Sequence, residues 1–95
     1  MIHIIQEEQG KRGKFIILEN EKPAGEITYV WAGIHKFIID HTVTFEGFTG
    51  KGYAKQLVMA TIEFAKKKNV KIIPLCPYAK KVMEKDITLH SIIFS

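Results

Sequence analysis

Cys76 is the single cysteine in a chain of 95 residues, so it makes no internal disulfide and joins no cysteine-rich zinc site. It follows Ile72-Ile73-Pro74-Leu75 and precedes Pro77, a favoured first residue of a helix. A thiol at that junction lies beside the positive end of a helix dipole, where cysteines become nucleophilic. The competing reading is a small buried hydrophobe, because free cysteines are among the most buried residues. A second stretch with chemical capacity is Gly47-Phe48-Thr49-Gly50-Lys51-Gly52, a Gly-x-x-Gly-x-Gly loop set between a strand-like and a helix-like segment. Glycines let backbone amides approach an anion closely, and a helix N-terminus adds about half a positive charge. No Lys-Ser/Thr pair follows Gly52, and the preceding strand reads as antiparallel, which argues against ATP and dinucleotide loops. A plain turn using glycine for positive φ remains the alternative. His41 is the third candidate, either as a base or as a satisfied core histidine. His3, His35 and His90 lack neighbouring cysteine or spaced carboxylates, so no metal site is expected.

The elements that must position these residues are legible from periodicity. Residues 1–6, 14–19 and 25–32 read as strands, with turn chemistry over 9–13 and 20–23. Residues 35–45 form the return arm of a hairpin, with Phe37, Ile39, His41, Val43 and Phe45 expected on one face. At Glu46 the period changes: after the glycine-rich loop, Ala54, Leu57, Val58, Thr61, Ile62 and Ala65 make a helical stripe, closed by Lys66-Lys67-Lys68 and Asn69. Residues 70–75 read as a buried-type strand, 77–85 as a shorter helix, and 87–94 as a last strand.

Composition bounds what such a chain does. With 46% hydrophobic and 25% charged residues it is an ordinary globular chain, expected to form a single domain over 1–95. No apolar run is long enough for a membrane span and Glu7 and Glu8 interrupt the N-terminus, so a soluble, cytoplasmic protein is expected; a monomer is the expectation for its assembly, which the sequence does not determine. Charge is uneven: residues 1–45 hold five Lys/Arg and six Asp/Glu, whereas 46–95 hold nine Lys and four Asp/Glu. The second half therefore expects an anion, whether nucleic acid, an anionic surface or a phosphorylated small molecule.

Thr49-Gly50-Lys51-Gly52-Tyr53-Ala54, coming after His41-Thr42-Val43-Thr44-Phe45, resembles the Arg/Gln-x-x-Gly-x-Gly/Ala acyl-CoA loop of the GCN5-related N-acetyltransferases, with Thr49 where Arg or Gln is usual. Cys76, Ala79, Met83, Glu84 and Lys85 match the spacing of that family's Asn-x-x-Ala-x-x-x-Tyr-Glu-Lys. Cys76 replaces the Asn, and Met83 replaces the Tyr that often protonates the leaving thiolate. The Asp40-His41-Thr42 triplet and residues 72–79 are similar to a minimal, short-chain subgroup with a candidate active-site cysteine, and the resemblance spans about residues 14–86.

The resemblance implies an α+β fold, a mostly antiparallel sheet splayed between the strand ending near Phe45 and the one starting near Val70, with two main helices. It implies acetyl-CoA as cofactor. The main chain of Val43, Thr44 and Phe45 would pair with pantetheine. Thr49 and the amides of Gly50, Lys51, Gly52, Tyr53 and Ala54 would hold the pyrophosphate. Pro77, Tyr78, Lys80 and Lys81 would add contacts from the last helix, the lysines reaching phosphates. Cys76 and His41 are the implied catalytic pair, transferring acetyl to an amine that the sequence does not identify. Two rivals stand beside it: a non-catalytic module for nucleic acid or an acidic partner, and a CoA-binding sensor without turnover. Nucleic acid is disfavoured because no aromatic residues interleave with the lysines of 66–71.

Overall fold

The computed structural model describes residues 1–94. Strands β1 (Ile2–Gln9), β2 (Arg12–Glu19), β3 (Lys22–Trp31) and β4 (Lys36–Thr44) form an antiparallel meander. Helix α1 (Tyr53–Lys68) then crosses over to β5 (Lys71–Pro74), which pairs parallel with β4, and α2 (Pro77–Lys85) follows. The sheet order is β1-β2-β3-β4-β5, the mostly antiparallel α+β arrangement expected. The strands run further into the turns than turn chemistry indicated. Two-residue connections suffice at Gly10-Lys11 and at Asn20-Glu21, whose φ values of 50 and 71 place both residues in the left-handed region that tight hairpins require.

Helix α1 buries Leu57, Val58, Thr61, Ile62 and Ala65 against the inner face of the sheet, the face that carries Phe15, Ile17, Ile27, Tyr29, Phe37 and Ile39. Burying each large aliphatic side chain contributes roughly 1.5–3 kcal/mol. Tyr29 and Phe37 rings meet at 4.9 Å, and Phe64 of α1 closes the aromatic cluster. The Tyr29 hydroxyl donates to Glu8 and accepts from Gln6; burial first, then the Glu8 carboxylate, raises it well above its ordinary value of 10. Asn69 ends α1 in the left-handed conformation, with its own amide and that of Val70 returning to the helix carbonyls of Lys66 and Ala65.

Two expectations are corrected. The register of β3 against β4 shifts between Thr28↔His41 and Tyr29↔Ile39, so Asp40 is an extra, bulged residue. The bulge reverses the alternation: Phe37 and Ile39 point inward, but after it Thr42, paired with buried Ile27, takes the inner face. His41 and Val43 therefore do not share the face of Phe37 and Ile39; His41 pairs with Thr28 on the outer face and is exposed. The tail is not a strand over 87–94. Asp86 accepts from the amide and hydroxyl of Thr88 and starts a 3-10 turn at Ile87–Leu89. Among the described residues that bend leaves a single bridge, Ile93 to Ile72, beside β5.

Candidate functional site

The bulge and Pro74 together open the sheet. β4 and β5 pair from Lys36↔Lys71 to Ile39↔Pro74, and the Ile39 carbonyl then accepts from the amides of both Leu75 and Cys76, each at 3.1 Å. Beyond that point the two strands part. On β4 the Phe45 amide donates to Ala24 of β3 at 2.9 Å, and the Val43 carbonyl also faces β3, where a Cβ on Gly25 would meet it at 2.8 Å. Antiparallel alternation then turns the amide and carbonyl of Thr44 toward the gap, where no strand lies among the described residues.

Both helices begin at this end of the sheet, because α1 follows β4 and α2 follows β5. Gly47, Gly50 and Gly52 have φ of 91, 82 and 78, and Gly52 is the N-cap of α1. Gln56 makes the first helical bond, to the Gly52 carbonyl at 3.2 Å, which leaves the amides of Tyr53, Ala54 and Lys55 without a helical partner. No side chain caps them and no acidic residue lies in the first turn. A Cβ added at Gly50 or Gly52 would meet nothing within 4 Å, so the cradle is open. At α2, Cys76 is the N-cap and Pro77 opens the helix, again with no side-chain cap. Two positive dipole ends thus flank one gap.

Two side chains at the loop are committed to Glu19. Lys51 Nζ donates to Glu19 Oε1 at 2.8 Å, and the Tyr53 hydroxyl donates to the same oxygen. The hydrogen bonds from Lys51 and then Tyr53 hold Glu19 below its ordinary 4.5, and the bond to Glu19 pushes Tyr53 up to about 12. A depressed carboxylate contributes its anchoring above its unfolded value and loses it as pH falls through the folded one. The Tyr53 ring resonances are therefore expected to move at a pH below 4.5, and Glu19→Gln should remove that transition; a transition at or above 4.5 would show that the loop is not pinned there.

Cys76 is 6% exposed, and its Sγ donates to Thr42 Oγ1 at 3.4 Å. The structure does not bring His41 to the thiol; the bulge sets it on the far face of β4 with Asp40, which accepts from Thr28 Oγ1 at 2.5 Å. Between α1 and α2 runs a groove of about 750 Å³, lined by Lys55, Met59, Tyr78, Lys81 and Lys85, with the Asp86 carboxylate, bonded to Thr88, at its end. Lys81 stands on its wall and Lys80 does not. Lys55, Lys85 and Thr42 join the site here although the sequence does not single them out as site residues; Thr42 and Lys85 stand in the family-like motifs only by position. The i, i+4 spacing of Lys81 and Lys85 was the available signal for the second lysine. The groove, the free amides and the unpaired β4 edge suit a long ligand with an anionic end and an amide-bearing arm.

A family model described as GCN5-related N-acetyl-transferase matches residues 14–91. A GCN5-like protein of Staphylococcus aureus, determined by NMR in solution, is similar at 29% identity and a TM-score of 0.70, over 96% of this chain and 88% of that one. A GNAT family acetyltransferase of Elizabethkingia anophelis with acetyl-CoA bound has a TM-score of 0.70 at 14% identity, over 88% of this chain and 72% of its own. The ribosomal-protein-S18-alanine N-acetyltransferase of Escherichia coli gives 0.68 at 13% identity; 82% of this chain matches 53% of it. At these lower identities the likeness is one of fold. No curated protein matches the chain in sequence.

Proposed function

The chain belongs to the GCN5-related N-acetyltransferase family, and from that premise we propose that it binds acetyl-CoA across the gap between β4 and β5 and passes the acetyl group to a primary amine, with Cys76 beside the thioester. The single observation that carries this reading is the convergence of two uncapped helix N-termini on the end of a sheet that has lost its strand pairing. The free amides of Tyr53, Ala54 and Lys55 suit a pyrophosphate, Thr44 offers the strand-like edge for the pantetheine amides, and Lys55, Lys81 and Lys85 offer cations along the groove. Lys51 and Tyr53 serve the cradle by main chain, since their side chains are held by Glu19. Thr49, exposed at the loop, does not need to replace the family's Arg or Gln in an anion site built from amides.

Met83 is fully buried and carries no ionisable proton, so it cannot protonate a departing thiolate. Cys76, the N-cap of α2 at the gap, is chemically able to do so, or to carry the acetyl group itself. In the covalent route the Cys76 sulfur bonds the acetyl carbon, the bond to the CoA sulfur breaks, and the proton leaving Cys76 ends on the CoA thiolate. The incoming amine then attacks the acetylated Cys76, and the thiol regains a proton. In the direct route Cys76 only donates that proton. His41 is exposed on the other face of β4, so its role in this reading would be to take a proton from an amine arriving from that side rather than to ionise Cys76.

The groove makes a comparison of lysines informative. Lys81→Glu is expected to weaken CoA binding about tenfold at 0.1 M salt, and Lys67→Glu, at the far end of α1, less than about twofold. Both substitutions change the net charge equally. Calorimetric titration with CoA separates them, and equal losses would show that only general electrostatics is at work.

A further inference from the structure

We infer that Thr42 is the positioning residue of the Cys76 thiol, fixing where the sulfur points and stabilising it when it loses its proton. The inference rests on the reading of Cys76 as the group that handles the acetyl transfer. The geometry is specific. Without the bulge at Asp40 the inner position opposite the thiol would fall to His41; with it, Thr42 stands there and its Oγ1 accepts from Cys76 Sγ at 3.4 Å. The Cys76 amide is tied to the Ile39 carbonyl at 3.1 Å, just before the bulge, so backbone and side chain of Cys76 are held by two points on one strand. Thr42 is β-branched and its χ1 is restricted, which fixes the oxygen.

A hydroxyl suits both states of the sulfur. It accepts from the thiol, and by turning its own proton it donates to the thiolate. When the Cys76 sulfur attacks, the S–H proton leaves and is finally taken by the CoA thiolate, so the sum is one thiol exchanged for another; Thr42 keeps its proton throughout. Among the described residues, the charged and titratable groups of the neighbouring elements are engaged or exposed as follows. Asp40 and His41 lie on the outer face of β4, with Asp40 held by Thr28 and Arg12. From β5, Lys71 bonds the Ser91 carbonyl at the far end; from α2, Tyr78 and Lys80 are exposed; from α1 and its loop, Tyr53 and Lys51 turn to Glu19.

The experiment is the rate of Cys76 alkylation by iodoacetamide against pH, on the full chain without any cofactor, for wild type, Thr42→Val and Thr42→Ser. Valine keeps the shape and removes the hydroxyl; serine restores it. Thr42→Val should move the curve to higher pH and slow alkylation near neutrality about tenfold, the scale of one hydrogen bond to a charged group. Thr42→Ser should lie close to wild type, and all three should melt alike. An unmoved curve in Thr42→Val, a serine variant that behaves like valine, or a wild-type thiol that resists the reagent at every pH would overturn the inference. Because this readout needs no CoA, a failure of CoA binding by calorimetry would sink the proposed function separately.

Discussion

Gly52→Glu is expected to lower the affinity for CoA at least a hundredfold. Gly52 caps α1 at φ 78, in the left-handed region, where any other residue costs roughly 1–2 kcal/mol. Space is not the obstacle, since a Cβ there meets nothing within 4 Å and would point into the open cradle. The carboxylate is the obstacle. It would compete for the amides of Tyr53, Ala54 and Lys55, and repel a phosphate about 4 Å away by about 4 kcal/mol at an effective dielectric of about 20. Gly52→Ala separates the two effects, carrying the backbone strain without the charge, and should lose only a few-fold in affinity. Calorimetry with CoA reads both variants; a glutamate variant that binds within tenfold of wild type would remove the anion site from the α1 N-terminus.

Cys76→Ala is the second large effect. After incubation with acetyl-CoA, intact-protein mass spectrometry of the wild type should show one acetyl adduct, removed by hydroxylamine as a thioester is. The alanine variant should lack it. Its transfer to an added primary amine should fall by at least about a hundredfold, whichever of the two routes is used, because both need a proton or a nucleophile at that point. CoA affinity should stay within a few-fold, since the cradle is main chain of another segment. An adduct that persists in the variant would place the acetyl group on lysines. A variant with full transfer would mean that Cys76, 6% exposed, is packing and nothing more.

Much of this was legible in sequence wherever local chemistry decides structure. Leu57, Val58, Ile62 and Ala65 recur at helical spacing and form the buried face of α1, and Pro77 opens α2 as its fixed φ favours. The glycines at 47, 50 and 52 take the positive φ that their placement implied. The bulge was not legible. Period-2 reading assumes unbroken alternation, and nothing in Ile39-Asp40-His41-Thr42 marks where one residue drops out of register. That single shift moved His41 to the exposed face and brought Thr42 to the thiol. The groove also depended on tertiary packing, because Lys55 and Lys85 become neighbours only once α1 and α2 lie side by side. Asp86 bent the tail through side-chain bonds to Thr88, which outweighed the β-rich character of Ile92 and Ile93.

The central claim is that acetyl-CoA lies in the gap between β4 and β5. Its most direct test is an amide-resolved NMR titration of the full chain with acetyl-CoA. The largest shifts should fall on Thr44, on Gly50 through Lys55, and on Cys76, Tyr78 and Ala79, with Lys81 and Lys85 following along the groove, while β1 and the outer face of β2 stay still. Shifts confined to the β1–β2 hairpin or to the lysines at the end of α1, or no shift at millimolar acetyl-CoA, would contradict it.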